Sequence, residues 1–139
     1  MTNPDWATMD ARPRRRVGSL TDKADIPTSP GVYAFYLGDE RKYVGKATGL
    51  QSRVWGNHLR KGGSMTSSAL RRNVAEHLGI APANDIKTRR YTPRTDEVLR
   101  VNAFTSDLDV AWIECKSVPA AEKLESDLKR QYLPPLTKR

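Results

Sequence analysis

Residues 31–53 read Gly31-Val32-Tyr33-Ala34-Phe35-Tyr36-Leu37-Gly38-Asp39-Glu40-Arg41-Lys42-Tyr43-Val44-Gly45-Lys46-Ala47-Thr48-Gly49-Leu50-Gln51-Ser52-Arg53, and this stretch decides the fold. Val32, Ala34 and Tyr36 face one side of an extended strand, and Tyr33, Phe35 and Leu37 face the other. Gly38 to Arg41 supply turn residues, and residues 42–46 return as a second strand. Both faces carry bulky side chains, so the hairpin is expected near the centre of a sheet. Thr48-Gly49-Leu50-Gln51 matches a capping box, with Thr at the cap and Gln three positions on. The helix that it opens is expected to run to about Arg60 and to stop at Gly62-Gly63. Leu50 and Val54 make its apolar stripe, and Arg53 and Asn57 lie one turn apart beside it.

Further along, Leu70, Val74 and Leu78 repeat every four residues and Gly79 follows, which predicts a second helix. Residues 81–94 read as a loop. Thr95, Asp96 and Glu97 start a third helix with acids where the helix dipole favours them, ending near Asp107. Residues 110–115 read as a buried strand. Ser117 and Pro119 open a last helix, with Leu124, Leu128 and Tyr132 as its core stripe and Pro134-Pro135 as its stop. Before the hairpin, residues 1–28 carry Arg12, Arg14, Arg15 and Arg16, three prolines and few apolar side chains. Such a segment reads as a flexible basic arm, either solvated or ordered by phosphate contacts. The fold class is α/β (α+β): one domain over residues 29–139, in the order β-β-α-α-α-β-α, with a small, mostly antiparallel sheet of about three strands flanked by helices.

The chain has 139 residues, enough for one domain with a modest core. No apolar run approaches a membrane span, and the first ten residues lack the pattern of a secretory signal. A single cysteine, Cys115, leaves no internal disulfide and suits a reducing cytoplasm. Two histidines and one cysteine are too few for a structural zinc site. Lys and Arg number 24 against 16 Asp and Glu, a net charge of +8 that attracts polyanions such as nucleic acid.

Phosphodiester hydrolysis needs a group that handles the proton of water, cations to offset transition-state charge, and usually a metal ion at the leaving oxygen. A hard divalent cation needs at least one fixed carboxylate. Gly31-Val32-Tyr33 and Tyr43-Val44-Gly45, followed by Arg53 on a helix and by Glu125 in Leu124-Glu125-Ser126-Asp127-Leu128, resemble the motifs of the GIY-YIG nucleases. The pattern is similar to that of the nuclease module at the start of the bacterial excision-repair endonuclease, over about residues 31–60 and 110–136. The resemblance implies a role for each residue. Tyr33 would be the general base or water-positioning group, with Tyr43 beside it. Gly45 would let the backbone approach the catalytic helix. Arg53 would contact the scissile phosphate, with Lys46 near it. Glu125 would be the protein's ligand to Mg2+, with Mn2+ as the substitute ion. The implied activity is endonucleolytic nicking of DNA, with RNA left open, giving 5′-phosphate and 3′-hydroxyl ends. The implied protein is a cytoplasmic monomer or weak dimer.

Read without the resemblance, Glu125 borders the stripe of the last helix, where a carboxylate needs a cation or an ion pair with Arg53 or Lys129. Tyr33 reads equally as a core aromatic. As a base, with a reference pKa of about 10, it needs positive charge nearby. Two positions depart from the family pattern. Its histidine, one turn after the arginine, is replaced by Asn57, and His58 follows one residue later. An α-helical period rotates that residue by about 100°, so His58 is expected on the helix surface or at the core edge. Thr137 stands where the family has asparagine. Residues 62–108 form an insertion holding Arg71, Arg72, Lys87, Arg89, Arg90 and Arg94, with Tyr91 among them. It reads either as a nucleic-acid contact through phosphate and stacking or as a helical lid with a solvated face. A catalytically weak binding module or adaptor is the alternative function.

Overall fold

A computed structural model describes residues 5–59 and 65–138, apart from the side chain of Asn57; the expected helix stop at Gly62-Gly63 and the first four residues of the arm lie outside the described residues. The element order is α1 (Trp6–Asp10), β1 (Arg15–Arg16), β2 (Gly31–Leu37), β3 (Glu40–Ala47), a π-helix (Gln51–His58), α2 (Ala69–His77), α3 (Ala83–Lys87), α4 (Thr95–Ser106), β4 (Asp109–Glu114) and α5 (Val118–Gln131). The fold is α+β. All strand pairs are antiparallel, in the order β1-β4-β2-β3. The described residues form a sheet of four strands, where about three were expected. The additional one is two arginines long, pairs through its backbone with Val110 and Asp109, and leaves both side chains exposed. A strand of two exposed residues has no alternation for a sequence pattern to reveal.

The hairpin forms with Tyr33 opposite Gly45 and Phe35 opposite Tyr43. β2 is central and buried from Gly31 to Tyr36, because β4 pairs on its other side. β3 is an edge. The two faces of the sheet carry separate cores. Tyr33, Phe35 and Tyr43 pack with Leu50, Val54, Leu70, Val74 and Val101 under the π-helix, α2 and α4. Val32, Ala34, Tyr36 and Val44 pack with Trp6, Met9, Leu124 and Leu128 of α1 and α5. The exposed side of the β3 edge is capped by the segment after α5. The Leu136 N–H donates to the Lys42 carbonyl at 2.8 Å, and the Val44 N–H donates to Thr137 Oγ1 at 2.9 Å. An unpaired edge would otherwise offer its backbone to any passing strand.

Residues 5–28 are built into the protein and are not a solvated arm. Trp6 and Met9 are 3% and 0% exposed, and Val17, Leu20 and Ile26 are buried on the opposite face. The Trp6 indole N–H donates to the Leu128 carbonyl at 2.9 Å. Arg41 stacks over the Trp6 ring at 4.7 Å and pairs with Asp10, whose carboxylate also accepts from the Tyr36 hydroxyl at 2.7 Å. The arginines are anchored as well: Arg12 donates to the Trp112 carbonyl, Arg14 lies 4.0 Å over the Tyr36 ring, and Arg15 and Arg16 pair with Asp25 and Asp109. Five widely spaced apolar side chains divided between two cores show no periodicity, so composition alone misreads this segment.

Three local expectations also change. The loop over residues 81–94 contains the short helix α3, which buries Ala83 and Ile86. Tyr132 lies beyond the end of α5, 44% exposed, edge-on to Trp6. The Thr48–Gln51 capping box does not form. The Leu50 and Gln51 N–H groups donate instead to the Ser29 and Pro27 carbonyls, and the Gln51 side chain donates to the Lys23 and Ile26 carbonyls. The preceding loop thus satisfies the helix's first donors, and a side-chain cap has nothing left to do. No helix among the described residues is long and apolar enough to cross a membrane.

Trp6→Ala tests the docking of the N-terminal segment. Loss of a buried indole costs about 3–5 kcal/mol, and urea unfolding is expected to show a drop of that size. A change below about 1 kcal/mol would mean that the segment is not part of the core.

Candidate active site

The glycine of the second tripeptide acts on the tyrosine of the first. A Cβ on Gly45 would stand 2.6 Å from Tyr33 Cζ, so the ring lies across β3 only because that atom is missing. The expected approach of Gly45 to the catalytic helix is not what is found. Gly31 has that task, since a Cβ there would meet Leu50 Cδ1 at 2.7 Å and the Ile113 carbonyl. Tyr33 stacks with Tyr43, ring centroids 6.2 Å apart, and its hydroxyl lies 2.6 Å from His58 Nε2. The other ring nitrogen, His58 Nδ1, is 2.6 Å from Ser68 Oγ.

His58 is therefore in the site, 1% exposed, and not on the helix surface. The expectation failed because the helix is not α. Residues 51–58 are π-helical, and the Leu59 N–H bonds to the Val54 carbonyl five residues back. With a ring closed at five residues, the one-turn neighbour of Arg53 is His58, where an α-helix would have given that place to Asn57. Single π turns inside helices recur at functional sites. The side chain of Asn57 is outside the described set.

A cleft of about 380 Å3 opens beside this cluster at the β3 edge, lined by Tyr43, Arg72, Lys87, Glu125, Lys129 and Thr137, among others. Tyr43 comes from β3, Arg72 from α2, Lys87 from α3, and Glu125 and Lys129 from one face of α5. The Glu125 side chain is 13% exposed, and its Oε1 is 3.4 Å from Lys129 Nζ. Thr137 is buried, its hydroxyl used on the Val44 N–H, so it holds the wall of the cleft in place. Tyr33 sits behind Tyr43 and is 2% exposed. Arg53 is exposed, and its side chain makes no hydrogen bond or ion pair among the described residues. Its charge nevertheless reaches Tyr33, Tyr43 and His58.

Burial dominates the titration of the cluster. It raises Tyr33 well above the usual phenol value, against the lowering influence of Arg53. Burial raises Tyr43 too. It pushes His58 down to about 3, and the positive charges of Arg53 and Arg72 act in the same direction. At neutral pH both phenols are protonated and the imidazole is neutral.

The remaining candidates divide. Lys46 points to the face of the sheet opposite the tyrosines and is 3.8 Å from Glu122. Arg71 is not a nucleic-acid contact: it is fully buried, and its guanidinium donates to Asn102 Oδ1 at 2.8 Å. Arg94 is taken up by Asp96 and Glu97. Arg89 and Arg90 are exposed, Arg89 in a separate hollow with Tyr91, whose hydroxyl is bonded to Glu97. The insertion thus reaches the cleft through Arg72 and Lys87. Lys87 is one of the basic residues expected from the insertion, whereas Ser68 had no sequence signal beyond a helix cap.

Among the described residues no three His, Cys, Asp or Glu side chains cluster as metal ligands. A small hard cation that keeps most of its waters needs only one or two carboxylates. Glu125 is the carboxylate lining the cleft, so the donor set fits that kind of cation once Lys129 is displaced.

The buried histidine has a consequence for stability. Unfolded, it takes up a proton below about pH 6.5, and folded only near pH 3. The folded state therefore binds fewer protons in that window, and stability falls as pH is lowered through it, by about 2 kcal/mol at pH 5. Urea midpoints at pH 7 and pH 5 should show this loss, and His58→Gln should lack it; equal slopes would mean that His58 is solvated. Comparisons with protein-family models, with curated proteins and with solved structures return no match for this chain.

Proposed function

We propose that this protein is a metal-dependent endonuclease of the GIY-YIG type, hydrolysing phosphodiester bonds of DNA one strand at a time to leave 5′-phosphate and 3′-hydroxyl ends. The observation that carries the reading is the convergence at the β3 edge. Tyr43 and Glu125 share a cleft with Arg72 and Lys87, and Arg53 stands beside the tyrosine pair with its guanidinium unengaged among the described residues. A fold has no structural need to gather one carboxylate, a protonated tyrosine and several cations around open space. A phosphodiester needs all of them.

On this reading Arg53 and Arg72 hold the phosphate oxygens, and the attacking water is placed by the tyrosine pair. Burial keeps both phenols protonated in the free protein, so Tyr43, which lines the cleft with Tyr33 behind it, orients water by hydrogen bonding before any proton moves. Glu125, exchanging Lys129 for Mg2+ or Mn2+, would hold the ion that supplies charge neutralisation at the phosphate and the leaving oxygen. Cutting both strands requires a second copy or a second nick. A second reading, a nucleic-acid-binding module with little turnover, is favoured by the Glu125–Lys129 pair and by the raised tyrosines.

Nicking of supercoiled plasmid by wild type, Glu125→Gln and Arg53→Ala, with Mg2+, Mn2+ or chelator, separates the two. The expected result is metal-dependent nicking that Glu125→Gln abolishes and Arg53→Ala reduces by about 10²–10³-fold. Salt-sensitive DNA binding without nicking in any sample would establish the binding module instead.

A further inference from the structure

Ser68 is the N-cap of α2, and its buried hydroxyl has two partners: it accepts from the Arg71 N–H at 3.1 Å, and it lies 2.6 Å from His58 Nδ1. A serine hydroxyl carries one proton and must place it on an acceptor. The Arg71 N–H is a donor and cannot receive it. Ser68 is 1% exposed, so water cannot take it either. An unplaced buried hydroxyl proton is costly. Among the described residues the remaining acceptor is His58 Nδ1. A neutral imidazole then carries its hydrogen on Nε2, the nitrogen 2.6 Å from Tyr33 Oη.

We infer that Ser68 fixes His58 as the Nε2–H tautomer, which makes His58 a hydrogen-bond donor to Tyr33 Oη and not an acceptor of its proton. Tyr33 then turns its own hydrogen away from His58, toward the hydroxyl of Tyr43, its hydrogen-bonding and stacked neighbour at the cleft. An N–H aimed at the phenol oxygen also favours the phenolate over the phenol. Ser68 is thus a positioning residue acting through His58, and His58 is no base in the free protein. The assignment of the tautomer stands on hydrogen bonding alone; its bearing on catalysis rests on the nuclease reading.

Nitrogen-15 NMR of the full chain at pH 7 distinguishes the protonated from the bare ring nitrogen. His77→Gln identifies the signals, since the chain has two histidines. Wild type is expected to show Nε2–H at His58. Ser68→Ala should shift the tautomer ratio about fivefold or more toward Nδ1–H, the effect of one lost hydrogen bond. Ser68→Thr, which keeps both cap and hydroxyl, should restore the wild-type pattern. Nδ1–H in the wild type overturns the inference, and so does an unchanged ratio in Ser68→Ala. Should Ser68→Ala not fold, the wild-type and Ser68→Thr spectra still decide. A protein that shows Nε2–H but does not nick DNA overturns the nuclease reading and leaves the tautomer in place; nicking with Nδ1–H does the reverse.

Discussion

The buried contact between Tyr33 Oη and His58 Nε2 joins the central strand to the helix that follows the hairpin, and several otherwise unrelated features exist to allow it. Gly45 clears the path of the Tyr33 ring. The π turn delivers His58 to the right face. Ser68, from the next helix, occupies the far nitrogen. Each of these is a departure from the default: a glycine inside a strand, a widened helix, and a polar chain in an aromatic core. Glycine inside a strand and a widened helical turn both weaken regular structure, and a buried polar chain is tolerated only when every member is paired. Their concentration at one place marks where the fold gives up stability for geometry.

The positive charge of the chain serves two ends. Much of it is structural: Arg71 is inside the protein, Arg12 and Arg14 brace the first segment against the sheet, and Arg16, Arg41 and Arg94 are matched with acids. Net charge therefore overstates the surface free to meet a polyanion. Arg53, Arg72 and Lys87 stand at or beside the cleft, which gives the charge a location that a sum over the sequence cannot.

The hairpin, the strand at 109–114 and helices α2, α4 and α5 were legible because apolar periodicity and caps are local. So was the ion pair between Glu125 and Lys129, one turn apart on one helix. What was not legible depends on partners far along the chain. The first segment is ordered by α5 and the sheet, and no composition rule contains that. The position of His58 turned on helix type, and the four-residue spacing of Leu50 and Val54 fits a π turn as well as an α turn. Gly45 was singled out correctly as a close-approach glycine, but which group approaches it depends on how Tyr33 crosses the strand. Arg71 carries a charge that reads as surface until the fold surrounds it.

The indole of Trp6 and the carbonyl of Leu128 are 122 positions apart in the chain, and Thr137 lies 93 beyond Val44. Contacts of such separation are made only after the entropy of closing long loops has been overcome. The tyrosines, Arg53 and His58 all belong to the first half of the sequence, whereas Glu125 and the segment that walls the cleft come near the other end. A chain emerging from the ribosome therefore presents the aromatic and basic half of the cleft well before its carboxylate. The cleft acquires both kinds of group only in the event that also seats Trp6, so that its completion and the completion of the fold are one step in time.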